Sequence, residues 1–334
     1  MDHVIVFVSL VMAVAPVLAG LLFVWWIDRY DREPLKYVFG AFLWGGFGAV
    51  ILSILGTEAS IRLLGGAIYS PHFDTTAVLV APAIEELMKG LIVLFFLRLR
   101  HFDNMTDGLL YGAASGLGFG MTENFLYFAQ YASYAPGYEW LNLLFLRSMM
   151  TANMHCAASA TFGAGISKLK DGGRDALVSV GLYYFLAVFL HSTWNFLVTS
   201  RSEAHWTLAV LILFSYIVFI FIMYVKSILT ERRQREIQLA EEFDLGVLPQ
   251  KYRKILMSYG AMKKNGWFPK YLNKDKYLTL VSRLAMRKSS YEKAGSRRRV
   301  VLMREIMEIR AELAKFSELL GTVTGEPEPP GQAG

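Results

Sequence analysis

The strongest constraint on this chain is a series of long apolar runs, each close to the length that crosses a lipid bilayer. About 20 residues in a helix, at ~1.5 Å per residue, span a hydrocarbon layer of ~30 Å. The apolar residues are continuous rather than alternating, which excludes the strands of a transmembrane barrel. We therefore expect an all-α, polytopic membrane helix bundle of about seven transmembrane helices. The predicted spans are 4–27, 36–56, 74–98, 107–130, 140–165, 177–199 and 206–226.

The composition agrees with a membrane protein. Of the 334 residues, 54% are hydrophobic and only 19% are charged, whereas a soluble chain carries about 25% charged residues. This deficit excludes a disordered or fibrous protein and argues against an ordinary cytosolic enzyme. The single cysteine, Cys156, excludes an intrachain disulfide framework and any zinc site built from cysteines.

Charge divides the chain into three predicted parts. Residues 1–226 carry a net charge of −2 and residues 227–334 a net charge of +8. We predict a seven-span membrane domain over 1–226, a basic amphipathic helical cytoplasmic domain over 227–320 and a disordered end over 321–334. For the basic domain, we expect contact with anionic lipid and no nucleic-acid binding.

The predicted orientation follows from the basic residues of the short loops. With the N-terminus outside, the inside loops hold eight lysines or arginines and the outside loops hold two, as the positive-inside rule requires. The first run is too long for a signal-peptide core and no lysine or arginine precedes it, so it is expected to be a retained helix. We predict a multi-pass protein of the cell (inner) membrane, with the N-terminus outside and the C-terminus in the cytoplasm.

Ionisable residues inside the spans are the candidate functional residues. Each charge at the centre of a membrane costs roughly 3 kcal/mol on insertion scales, so such residues usually face the bundle interior and mark a functional site. Counted along the predicted helices, the main candidates lie about 10 to 22 Å below the outer face, in one layer. The candidates are Glu85, Glu86, Lys89, Glu123, Asn124, Arg147, His155, His191 and Asn195.

Spacing within the helices supports one site. Lys89 follows Glu85 by four residues and Glu86 by three, so it can partly neutralise both carboxylates. His191 and Asn195 are four residues apart and share a helix face. Small residues every fourth position precede Glu123 and predict close packing of its helix against a neighbour. They are Gly108, Gly112, Gly116 and Gly120.

Taken together, these motifs resemble the PrsW-type intramembrane proteases over about residues 25–200. The resemblance rests on four separated motifs in order and on the loop 28–34. The motifs are Glu85-Glu86-x-x-Lys89, Gly118-Phe119-x-x-x-Glu123-Asn124, His155 and His191-x-x-x-Asn195. The resemblance implies a multi-pass protease that cleaves membrane-anchored proteins, such as anti-sigma factors, near the outer face. The implied partner is a single-pass membrane protein.

The pattern is more distantly similar to the CAAX-prenyl endopeptidase and bacteriocin-processing group. That group has arginine where this chain has Gly90, and phenylalanine where it has Thr151. These departures favour the PrsW-type function.

For the chemistry, we expect peptide hydrolysis by an activated water and no covalent intermediate. The candidate base is Glu85 or Glu86, with the other carboxylate paired to Lys89. No Ser/His/Asp set and no H-E-x-x-H motif accompanies them.

The remaining polar residues receive supporting roles. His155 is expected to orient the water, and His191 and Asn195 to donate to the tetrahedral oxyanion. Glu123 is expected to hold a histidine or complete the site, and Arg147 to be a counter-ion for an acidic partner.

Two alternatives stay open at this level. In one, Zn²⁺ is held by Glu86, His155 and His191, because carboxylate and imidazole are both zinc ligands; otherwise no cofactor is required. In the other, the buried Glu/His layer serves a proton- or ion-coupled transporter. A transporter typically has inverted repeats, and no internal repeat is visible in the sequence.

Overall fold

Helices make up nearly all of the regular structure in a computed structural model of the chain, and the described residues form no β-strand. This confirms the all-α prediction. Residues 28–32 of the loop 28–34, and residues 322–334 of the predicted disordered end, lie outside the described residues. The structure describes residues 3–27, 33–65, 74–99, 102, 104–132, 137–170, 174–199, 202–258, 261–262 and 264–321.

The described chain divides into two compact units, Met1–Val225 and Lys226–Gly334. Long helices of the first unit follow the predicted apolar runs closely. The first four are α1 (His3–Ile27), α2 (Leu35–Leu64), α3 (a π-helical turn Thr76–Val80 that continues as Ala81–Phe96) and α4 (Met105–Ala132). The next three are α5 (Tyr138–Leu146, a π-helical turn Arg147–Thr151, then Ala152–Ser167), α6 (Arg174–Thr199) and α7 (Glu203–Asp244).

Four of these helices are long and apolar enough to cross a membrane: α1, α2, α6 and α7. The other three, α3, α4 and α5, carry most of the candidate polar residues, which lowers their hydropathy. The count of seven membrane crossings, like the orientation of the termini, stays a prediction.

Close packing of α4 against α5 is the feature that positions the candidate residues. A Cβ atom added at Gly112 would lie 2.2 Å from the carbonyl oxygen of Ser159, and one added at Gly116 would lie 2.2 Å from that of His155. No side chain fits at such distances, so the two backbones are in direct contact. The predicted glycine face is therefore confirmed as a packing seam, and it brings Glu123 beside α5.

The second unit has a hydrophobic core of its own. Its helices are the end of α7, a short helical segment at Gln250–Leu256, α8 (Lys274–Lys293) and α9 (Ser296–Gly321). Asn273 caps α8 by accepting a hydrogen bond from the backbone N–H of Lys276. The core is built from apolar side chains of all these helices, among them Leu239, Phe243, Tyr277, Leu284 and Leu313.

A buried ion cluster joins three helices of the second unit. Arg310 donates to both carboxylate oxygens of Glu242, at 2.9 and 2.6 Å, and Lys288 Nζ lies 2.6 Å from Oε1. Burial alone would raise the pKa of Glu242, but the hydrogen bonds from Arg310 and Lys288 outweigh it and hold that pKa below its ordinary value. The carboxylate therefore stays charged and links α7, α8 and α9.

Candidate active site

Glu86 and Lys89 form the most deeply buried pair of the site, one turn apart on α3. Lys89 Nζ lies 2.5 Å from Glu86 Oε1, and neither side chain is exposed. The same oxygen is 2.9 Å from His191 Nδ1, and Ser159 Oγ donates to Oε2 at 2.9 Å. Both oxygens of Glu86 are therefore engaged, and this carboxylate orients Lys89 and His191.

Glu85 has a different environment although it is the adjacent residue. Successive helical residues point about 100° apart, and the Glu85 side chain keeps 14% of its surface exposed. Its Oε2 atom lies 3.6 Å from His191 Nε2 and 3.9 Å from Lys89 Nζ, and it accepts no hydrogen bond from the described residues. A buried carboxylate oxygen in this state is costly, so Oε2 keeps the capacity to accept a hydrogen bond or to bind a metal ion.

Arg147 holds Glu123 on the partly exposed side of the cluster. Arg147 Nη2 lies 2.9 Å from Glu123 Oε2, and Arg147 Nε donates to Asn124 Oδ1 at 3.1 Å. Asn124 Nδ2 donates back to the carbonyl oxygen of Arg147 at 3.1 Å, and the Tyr127 ring packs 3.8 Å from the guanidinium. Glu123 Oε2 is also 2.8 Å from His155 Nε2. Arg147 thus has an acidic partner and Glu123 contacts a histidine, while the catalytic roles of both residues stay predictions.

His155 connects the buried pair Glu86–Lys89 with the partly exposed pair Glu123–Arg147. Its Nδ1 lies 3.2 Å from Lys89 Nζ, and its ring meets the His191 ring nearly edge to face at 4.7 Å. Phe119 covers the junction, with its ring centre 4.3 Å from Lys89 Nζ and 5.3 Å from the His155 ring. The structure thus brings eight of the nine predicted residues into one cluster. They are Glu85, Glu86, Lys89, Glu123, Asn124, Arg147, His155 and His191.

Asn195 lies on α6 one turn after His191 and contacts the start of α3. Its Nδ2 donates to the carbonyl oxygen of Ala77 at 2.9 Å. Ala77 belongs to the π-helical turn Thr76–Val80, in which the ordinary backbone pairing is altered. The oxyanion role of Asn195 stays a prediction. The other π-helical turns among the described residues are Trp44–Ala49 and Arg147–Thr151.

The donor set of the cluster fits a zinc ion. Ligand atoms of Glu85, His155 and His191 all lie within 4.8 Å of one another, and catalytic zinc sites commonly have two histidines and one glutamate plus a water. The sequence-based ligand set named Glu86 rather than Glu85. In the structure Glu86 accepts from His191 Nδ1, which is the position of a carboxylate that orients a histidine ligand.

Sequence reasoning missed two residues of the cluster. Ser159 donates to Glu86 and Phe119 covers Lys89. Ser159 follows His155 by four residues and therefore lies on the same helix face, so this spacing could have predicted that Ser159 belongs to the site. Phe119 was seen only as part of a motif, because an aromatic residue in an apolar helix has no distinctive pattern.

Comparisons with known proteins cover the region of the chain that holds this cluster. The model of the PrsW family intramembrane metalloprotease matches residues 33–225. The protein called Protease PrsW of Clostridioides difficile is 29% identical over 212 residues, which cover 61% of this chain and 83% of that protein. Protease PrsW of Geobacillus kaustophilus is 28% identical over 191 residues (57% and 79%), and that of Bacillus subtilis 25% over 192 residues (57% and 82%). No solved structure matches.

The family match covers more than half of the chain and includes every residue of the cluster. The match ends at residue 225 and does not include the second unit. A layer of buried glutamates and histidines among apolar helices, on a chain related along this length to known proteases, identifies the enzyme class. The chain belongs to the PrsW family of intramembrane metalloproteases, and it is a membrane hydrolase that acts as a protease.

Proposed function

We propose that this protein hydrolyses peptide bonds of single-pass, membrane-anchored proteins of the anti-sigma-factor kind, near the outer face of the inner membrane. The observation that carries the proposal is Glu85 Oε2, a buried carboxylate oxygen that accepts no hydrogen bond from the described residues and lies 3.6 Å from His191 Nε2. The family assignment favours this function over the transporter alternative.

Glu85 is the proposed general base. A water shared by Glu85 Oε2 and His191 Nε2 would give up its proton to the carboxylate as its oxygen attacks the peptide carbonyl carbon. The same proton then passes from Glu85 to the leaving amine, so the base is restored and no bond to the enzyme forms. Glu86 holds Nδ1 of His191, which leaves Nε2 for the reacting groups.

The other polar residues position the reacting groups. Glu123 and Lys89 hold His155 from its two ring nitrogens. His155 remains the proposed residue for orienting the water, and for this one of its nitrogens must exchange its present contact for the water. His191 and Asn195 remain the proposed donors to the oxyanion. Because Glu86 engages Nδ1 of His191, His191 donates only when Nε2 carries a proton. Fixed donors in a site that excludes most water stabilise developing charge strongly, because the effective dielectric constant there is low.

A zinc ion, when bound, would be held by Glu85, His155 and His191 and would lower the pKa of its water to about 7. In that version Glu85 is a ligand and not the base, while Glu86 and Glu123 orient the two histidines. Metal analysis of the purified protein and proteolysis in the presence of a chelator separate the two versions. Full activity without stoichiometric metal would exclude the zinc version.

The proposed setting is the inner membrane with the N-terminus outside and the basic second unit in the cytoplasm, in contact with anionic lipid. Cells of the source organism that produce wild-type protein or Glu85→Gln provide the test. We expect at least one single-pass membrane protein to accumulate uncut in the variant, by quantitative proteomics of its N- and C-terminal fragments. Glu58→Gln is the matched control, because Glu58 is an exposed residue whose ion pair, among the described residues, is with the exposed Arg62. If wild type and Glu85→Gln leave identical fragments, the proposal is wrong.

A further inference from the structure

A largely apolar cavity of about 230 Å³ lies between α1, α4, α5 and α7. Its floor includes Leu110, Leu117 and Ala157, which are at most 5% exposed. Its rim carries Phe23 and Phe221, each 58% exposed. The cavity therefore opens on the outer surface of the helix bundle instead of being sealed inside it.

The cavity lies at one end of the bundle. Its lining residues come from the last part of α1, the first half of α4 and residues 217–224 of α7, so it lies towards the end where α1 finishes and α4 begins. Both α1 and α7 are long and apolar enough to cross a membrane. With α1 and α7 as the predicted membrane spans, the exposed rim faces the hydrocarbon of one leaflet.

Water is a poor occupant of this cavity. A buried water needs two to four polar partners, and the polar side chains of the lining are those of Asn153, Cys156 and Tyr224. Among them, Asn153 already donates to the carbonyl oxygen of Met149 on its own helix, at 2.6 Å. Apolar cavities of this kind stay dry, and one of ~150 Å³ binds benzene.

The shape of the cavity favours a narrow occupant over a transmembrane helix of a substrate. A helix with its side chains is ~10–12 Å across, whereas this cavity is a crevice enclosed by side chains of four helices. The end of a single flexible hydrocarbon chain is narrow enough to enter it and matches the apolar lining. Burial against Leu110 and Leu117 adds the dispersion contacts that an empty cavity lacks.

We propose that this cavity binds one acyl chain of a membrane lipid from the leaflet at that end. The bound chain packs against Cys156 and Ala157, the two residues that follow His155 on α5. A lipid therefore forms part of the wall behind a helix of the active site.

Photolabelling tests the proposal in the full-length protein. The probe is a phosphatidylcholine with a diazirine on one acyl chain, incorporated into nanodiscs, and adducts are mapped by mass spectrometry. We expect adducts on the buried floor, at Leu110, Leu117 or Cys156, as well as on Phe185, which is 67% exposed on α6 and serves as the reference for free lipid contact. Labelling of Phe185 alone would overturn the proposal.

Two variants that fill the cavity provide the second arm. Gly20→Phe and Ile220→Trp each add a large side chain to the lining, and a Cβ at Gly20 meets only the flexible end of Leu117, at 3.7 Å. We expect floor labelling to fall several-fold relative to Phe185, with no change in the control Leu182→Trp, whose position is exposed. Undiminished floor labelling in the filled variants would also overturn the proposal.

The native thiol gives a measurement that needs no variant. Cys156 is the only cysteine of the chain and lines the cavity. We expect its alkylation by N-ethylmaleimide to be several-fold slower with long-chain lipid present than after lipid removal in a short-chain detergent. An alkylation rate that is indifferent to lipid would contradict an acyl chain at this position.

Discussion

Glu85 and Glu86 are adjacent, but replacing each by glutamine should change different properties: Glu86→Gln should lower Tm, whereas Glu85→Gln should abolish cleavage with little change in Tm. In Glu86→Gln, the fully buried Lys89 loses a carboxylate 2.5 Å away and keeps only Glu85 at 3.9 Å. Removing one partner of a buried ion pair costs about 3–5 kcal/mol, and the remaining carboxylate argues for the lower value. At about 2–4 °C per kcal/mol for a unit of this size, Tm should fall by about 6–12 °C.

Glu85→Gln should leave stability nearly unchanged, because Glu85 Oε2 has no hydrogen bond among the described residues to lose. It should nevertheless abolish substrate cleavage, since an amide cannot accept the proton of water. The assay is thermal unfolding in nanodiscs, measured beside cleavage of the substrate found by proteomics, with wild type as reference. Equal Tm shifts in the two variants, or full cleavage by Glu85→Gln, would refute the division of roles.

Three further predictions concern the support of the site and the second unit. Arg147→Ala should lower the rate of cleavage about 10–100-fold, the usual effect of losing an orienting partner, because Glu123 then holds His155 less firmly. Arg147→Lys should recover part of the lost activity. An unchanged rate of cleavage in Arg147→Ala would contradict this prediction. Gly116→Ala should destabilise the first unit by about 1–3 kcal/mol or more, whereas Gly181→Ala, which meets nothing within 4 Å, should be neutral or slightly stabilising in the same unfolding assay. The pKa of Glu242 is lower in the folded protein than in the unfolded chain, where it lies near 4.5. Its contribution to the free energy of unfolding is therefore complete above the unfolded pKa and is lost as the pH falls through the lower folded pKa. Acid should destabilise the wild-type protein more than a Glu242→Gln variant in the unfolding assay.

Helix positions were largely predictable because hydrocarbon dictates them. The run at 107–130 became Met105–Ala132, and the run at 177–199 became Arg174–Thr199. The run at 206–226 differs, since its helix continues to Asp244. The end of an apolar run predicts where a chain leaves the membrane, but it does not predict where the helix ends. A helix continues as long as the following residues favour helical backbone.

The candidate residues were predictable as a set, but the partner of each residue was predictable only in part. Any charge placed deep in an apolar helix is costly, so the residue list followed from position alone. The choice between Glu85 and Glu86 depends on which one meets Ser159 and His191, and these belong to two other helices. The π-helical turn that carries Arg147 has no sequence signature either, although it places that side chain beside Glu123.

Two buried ion clusters among the described residues show how such groups differ. In the second unit, both oxygens of Glu242 accept hydrogen bonds from Arg310, and Lys288 completes the set, so the cluster is closed and its role is structural. In the first unit, Glu86 is equally closed, but Glu85 keeps an oxygen with no hydrogen bond from the described residues. Burial of charge is common to both clusters, so burial alone does not identify the reacting group. The carboxylate oxygen of Glu85 without a hydrogen bond is what distinguishes the two clusters, and it is the reason that we propose Glu85, rather than Glu86, as the residue that meets the reacting water or a metal ion.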